Sequence, residues 1–150
     1  MTMREILFRA KTVKNVHWIW GDLFHAGTEP SDGEFAISYW DDEDGWMNEN
    51  VQPATIGQFT GLTDKNGKRI FEGDIVECVS WNEYFSKDGK PMEPFRRKMF
   101  VDYRNGGFKM VEPMPEPMKD NEWDIICNGD IVIIGNIYDD PQLIDMKRLG

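Results

Sequence analysis

Apolar residues along this chain recur at every second position, the spacing of strands and not of helices. Val16, Trp18 and Trp20 alternate with His17 and Ile19, and Phe35, Ile37 and Tyr39 alternate with Ala36, Ser38 and Trp40. Residues 75–81 read as a strand with Val76 and Cys78 on one face and Ile75, Val79 and Trp81 on the other. Met99, Val101 and Tyr103 alternate with Phe100 and Asp102, and Phe108 and Met110 resume the pattern after Gly106-Gly107. Residues 125–134 are apolar and β-branched around Asn128-Gly129-Asp130, which predicts two strands joined by a turn.

The breaks between these segments carry turn chemistry. Asn66-Gly67, inside Asp64-Lys65-Asn66-Gly67-Lys68, suits a hairpin because Asn and Gly both accept positive φ. Lys87-Asp88-Gly89-Lys90 and Arg104-Asn105-Gly106-Gly107 repeat the signal. Glu72-Gly73-Asp74-Ile75-Val76 is echoed by Asn128-Gly129-Asp130-Ile131-Val132, a Gly-Asp turn feeding a β-branched strand. Helix signal is confined to Asp140 as an N-cap before Pro141, and three prolines in residues 112–117 predict an extended loop. The expected class is mainly β with little helix, a small barrel or sandwich and not a βαβ enzyme.

Composition fits that class. The chain has 150 residues, 40% hydrophobic and 13% aromatic, enough for one domain or two small lobes. Its longest apolar run, residues 131–134, is far too short to span a bilayer, and the first residues form no apolar signal core. Two cysteines, Cys78 and Cys127, make no disulfide framework. The expectation is a cytoplasmic protein without a membrane partner.

Charge changes the picture more. Of 27 acidic and 17 basic residues, ten acids and no Lys or Arg lie in residues 15–64. The remaining 17 acids balance the 17 bases, so the whole formal charge of −10 belongs to one third of the chain. Such a balance argues against a protein living on nucleic-acid backbone. The run Asp41, Asp42, Glu43 and Asp44 is the candidate acidic binding surface, for a basic partner, set against a plain solvated loop tip. It is no EF-hand: Gly45 at loop position 6 would put Trp40 and Val51 at positions that need oxygen ligands.

Other chemistry is sparse. His17 and His25 are the only histidines and lack neighbouring cysteines, so no metal site is expected. No phosphate loop, dinucleotide fingerprint or nucleophile elbow occurs, so no catalytic residue and no cofactor are assigned. Arg96, Arg97 and Lys98, flanked by Phe95, Phe100 and Tyr103, form the alternative candidate site, a basic–aromatic edge for single-stranded nucleic acid. The six tryptophans suffice for a sugar or protein interface, but most are expected in the core.

Three blocks in this chain resemble the YopX family of phage and prophage proteins. They are Met3-Arg4-Glu5-Ile6-Leu7-Phe8-Arg9-Ala10, the stretch from Gln58 through Thr60-Gly61-Leu62-Thr63-Asp64-Lys65-Asn66-Gly67 to Val76, and Gly135-Asn136-Ile137-Tyr138-Asp139-Asp140-Pro141-Gln142-Leu143. The middle block is the specific one. The resemblance implies a β-rich N-terminal part, residues 1–57, joined to a small SH3-like barrel in residues 58–150. It implies no activity. The acidic stretch 21–50 and the segment 112–118 depart from the family pattern. The function expected is that of a non-enzymatic binding or assembly module, with a host or phage protein as partner and homo-oligomers through exposed barrel edges. The rivals are a nucleic-acid-associated protein and an acidic mimic of nucleic acid that captures a basic host protein.

Overall fold

The computed structural model describes residues 3–80, 88–89, 95–125 and 130–144. Trp81, Cys127 and the Asn128-Gly129 turn lie outside the described residues. The chain forms two compact units, Met1–Gly61 and Leu62–Gly150. Both are built from antiparallel strands, in two sheets, and the only helical pieces among the described residues are single 3-10 turns that each begin with proline.

The first unit holds β1 (Phe8–Lys11), β2 (Trp18–His25), β3 (Phe35–Asp41), β4 (Gly45–Val51) and the start of β5 (Gly57–Thr63). The strand order is β4-β3-β2-β1-β5, and β5 leads through a hairpin into β6 (Arg69–Phe71) in the same sheet. Alternation sorts the side chains. Ala10, Ile19, Ile37 and Val51 form the core, with Phe8, Leu23, Phe35, Tyr39 and Ile56 packed against it. Residues in the opposite register face out, so Ile19 is 6% exposed while its neighbour Trp20 is 48% exposed. Val16 is not part of the strand: it takes a positive φ of 49° in the turn before β2.

The second unit contains β7 (Asp74–Ser80), β8 (Phe95–Arg104), β9 (Gly107–Glu112), β10 (Asn121–Asp124) and β11 (Ile131–Asn136), in the order β10-β9-β8-β7-β11. This sheet is open, and no closed barrel forms among the described residues. Both of its faces are covered. Ile70, Val76, Met99, Val101, Met110, Ile125 and Ile131 pack on one, and Ile75, Phe100 and Val111 with Ile134, Ile137 and Leu143 on the other. That double burial accounts for the apolar residues at consecutive positions, Ile75-Val76 in β7 and Met99-Phe100-Val101 in β8.

Of the two strands expected in residues 125–134, the second forms as β11, and the first falls largely outside the described residues. β10 ends at Asp124, and Ile125 follows it as a buried residue. A turn forms at Asn66-Gly67, but only Gly67 takes a positive φ, of 79°, and the Gly67 amide closes it onto the Asp64 carbonyl at 2.9 Å. Its organiser is Asp64, 7% exposed, whose Oδ1 accepts the amides of Asn66 and Lys68 at 2.9 Å each. Asp64 Oδ2 accepts the amide of Ile133 at 3.1 Å, which ties the hairpin to β11. One of the ten acids of the charged stretch is therefore a buried structural group.

Candidate functional site

Strand β2 changes partner halfway along its length. Trp18, Ile19, Trp20 and Gly21 pair with β1, and Asp22, Leu23, Phe24 and His25 pair with β3. The β2–β3 ladder starts at Asp22 opposite Ser38, whereas β3 continues to Asp41 paired with β4 alone. The sheet forks at this point. Gly21 sits in the crotch, where an added Cβ would lie 2.1 Å from the Ser38 carbonyl oxygen. No side chain fits there, so the fork requires glycine.

The fork opens into a groove of about 560 Å³ within the first unit. Trp18 and Trp20 line one wall, Tyr39, Trp40 and Trp46 the other, and Asp22 and Ser38 lie near the junction. Trp20, Trp40 and Trp46 are 48%, 60% and 66% exposed. The expectation that most tryptophans are core residues fails among the described residues: Trp123 is exposed too, and these three occupy the outward register of strands whose other face is the core. Trp40 and Trp46 face each other across the β3–β4 hairpin and pack edge to face, centroids 5.6 Å apart at 78°. Trp18 differs: Arg9 and Lys11 lie over its ring at 4.9 and 5.6 Å.

The acidic run caps this wall. Asp41 turns inward on its own loop and accepts the amides of Glu43 at 2.8 Å and Asp44 at 2.9 Å. The Asp44 and Glu43 N–H groups hold its carboxyl below the ordinary range. Gly45, at φ 76°, completes the turn. Asp42, Glu43 and Asp44 are left exposed beside Trp40 and Trp46. The four candidates thus divide into one structural cap and three solvent-facing carboxylates.

Below the groove, the Tyr39 hydroxyl donates to Glu49 Oε2 at 2.6 Å, and His17 Nε2 lies 3.9 Å from the same oxygen. The hydrogen bond to Glu49, with burial and the charges of Glu49 and Asp41, pushes the Tyr39 phenol up to about 12. Glu49 is the polar residue on the inward register of β4, and this pairing satisfies it.

The basic candidates are divided by the strand that carries them. On β8, Arg96 and Lys98 share one face and Arg97 points to the other. Arg96 is ion-paired with Glu77 at 2.9 Å, and Arg97 with Glu112 at 3.2 Å, its guanidinium 5.2 Å from the Trp123 ring centroid. Phe100 is 4% exposed and belongs to the core. Elsewhere in the second unit, Arg104 meets Asp102, Asp120 and Glu122 at the mouth of a polar cleft of about 550 Å³ that includes Met114 and Met118. Among the described residues no three His, Cys, Asp or Glu side chains gather as a metal site, and no helix is long and apolar enough to cross a membrane.

Nothing in the sequence announced the fork, since partner exchange along a strand leaves no local mark. The Trp pair was more accessible. Trp40 and Trp46 stand symmetrically about Asp41-Asp42-Glu43-Asp44-Gly45, the arrangement of a cross-strand pair on one face of a hairpin.

The family model described as YopX protein matches residues 7–145. In three dimensions the chain is similar to protein EF1440 from Enterococcus faecalis, known from a crystal structure. The two share 21% identity at a TM-score of 0.51, over 95% of this chain and 100% of that one, a likeness of fold alone. No curated protein matches.

Proposed function

This chain belongs to the YopX family, and from that premise we propose that it is a non-enzymatic binding module, phage- or prophage-associated and cytoplasmic, whose ligand site is the forked groove of the first unit. The observation that carries the proposal is the placement of Trp20, Trp40 and Trp46. Three large aromatic side chains stand exposed around one concavity, where burying them against a partner yields more than leaving them in water. Ligand sites are mostly concave, apolar and edged by a few polar groups, as this one is. A protein partner suits the site because open groove walls and an adjoining strand edge favour an extended chain. The second unit serves as scaffold; its SH3-like character rests on the family resemblance and not on strand closure.

The nucleic-acid alternative through Arg96, Arg97 and Lys98 draws less support. Two of the three bases are engaged by Glu77 and Glu112, and they face opposite sides of β8. The two sites are separated by affinity capture from host lysate with wild type, Trp40→Ala/Trp46→Ala and Arg96→Ala/Lys98→Ala. Partners lost with the tryptophan pair and kept with the basic pair support the groove. Partners kept without Trp40 and Trp46 overturn it.

A further inference from the structure

We infer that the occupant of the groove is a basic, extended polypeptide segment, laid against β3 in the fork with its Lys or Arg side chains between the tryptophans and the carboxylates. The inference rests on the groove being the binding site and adds the chemistry of what it takes.

The backbone supplies the first reason. Glu34 accepts the Ala26 amide at 3.0 Å, so the alternate residues Glu34, Ala36, Ser38 and Trp40 turn their backbone groups toward β2. The β2–β3 ladder stops at Asp22–Ser38. Beyond it, the N–H and C=O of Trp40 face the fork with no strand opposite among the described residues. An extended chain entering there continues the ladder that β2 leaves.

The side chains supply the second. Trp40 and Trp46 meet edge to face, which leaves outer ring faces open to solvent, and Trp20 stands on the opposite wall. Trp18 already shows the contact such rings make in this unit, with Arg9 and Lys11 over its face. Cations stack on indole faces more favourably than on other rings. Asp22 lines the groove, and Asp42, Glu43 and Asp44 stand exposed at the hairpin tip. None of these four carboxylates makes an ion pair among the described residues. Aromatic faces beside uncompensated carboxylates complement a cationic chain and repel an acidic one.

The test titrates the full-length chain with synthetic peptides of alternating Lys and Val, the same design with Glu for Lys, and single-stranded oligothymidylate, followed by calorimetry. The Lys–Val peptide is expected to bind and to weaken about tenfold in Asp42→Asn/Glu43→Gln/Asp44→Asn, with a similar loss in Trp46→Ala, from exposed ion pairs and one cation–π contact. Raising salt weakens it further. Equal binding of the Glu–Val peptide or the oligonucleotide overturns the inference, as does Lys–Val binding that neither variant changes. A dimeric mass in solution that Trp46→Ala abolishes assigns the face to a second copy and overturns it too. If the Lys–Val peptide does not bind while the lysate partners still depend on Trp40 and Trp46, this inference fails and the groove survives. If the partners are indifferent to those tryptophans, the groove itself fails.

Discussion

Asp64 shows how far a single carboxylate's role depends on its surroundings. By sequence it is the last of ten acids in a charged stretch; in the fold it accepts three backbone amides, from Asn66, Lys68 and Ile133. Burial pushes its carboxyl upward, but the N–H groups of Ile133, Lys68 and Asn66 outweigh that and hold it below 3.8. A carboxylate with a lowered folded-state pKa adds stability that is present above its unfolded value and lost as pH falls through the folded one. Asp64→Asn should therefore cost about 1–3 kcal/mol at neutral pH, the penalty for weakened acceptors facing buried donors. It should also flatten the loss of stability below pH 4, as read by urea denaturation at several pH values. Tyr39 carries the opposite sign. Its phenol is raised from 10.0 to about 12, so the hydrogen bond to Glu49 stabilises the fold below pH 10 and is lost toward pH 12. Phenolate absorbance should show Tyr39 titrating late, and Glu49→Gln should remove that late step. The Tyr39–Glu49 and Asp64–Ile133 contacts were not legible in the sequence, because strand register brings those partners together. The turn residues were legible: Asn66-Gly67 declares itself through local conformational preference, with no help from distant residues.

Among the strands, those that bury one or both faces were readable and those that carry the site were less so. β3, β7 and β8 follow the alternation of their apolar residues closely. β4 is Gly-Trp-Met-Asn-Glu-Asn-Val, poor in β-branched residues, and forms because the Asp41-capped turn folds it back on β3. β10, Asn-Glu-Trp-Asp, has no apolar alternation, and its ladder runs from Asn121 opposite Glu112 to Asp124 opposite Lys109. The fork belongs to this scale. Gly21→Ala places a methyl 2.1 Å from a backbone oxygen, so β2 or β3 must shift. It is expected to destabilise the protein by about 1–3 kcal/mol, as overpacking does. It should also disturb the indole environments of Trp20 and Trp40 in near-ultraviolet circular dichroism. An unchanged spectrum and midpoint would mean that the crotch relaxes freely.

At the level of the whole chain, a net charge of −10 belongs entirely to residues 15–64, against a balanced remainder. The structure gives that stretch three separate uses. Asp64 ties a hairpin to β11, and Asp41 caps a turn while Glu49 accepts the hydrogen bond of the Tyr39 hydroxyl. Asp42, Glu43 and Asp44 remain exposed, with no fold contact given up by neutralising them. Asp42→Asn/Glu43→Gln/Asp44→Asn should accordingly leave the melting temperature unchanged or slightly raised, since like charges on one tip repel. The most direct measurement of the central claim is a proton–nitrogen correlation spectrum of the tryptophan indoles during titration with the Lys–Val peptide. The account predicts that the Trp20, Trp40 and Trp46 signals move together and saturate while Trp123, in the other unit, stays still. Movement of Trp123 with Trp20, Trp40 and Trp46 unmoved would contradict it.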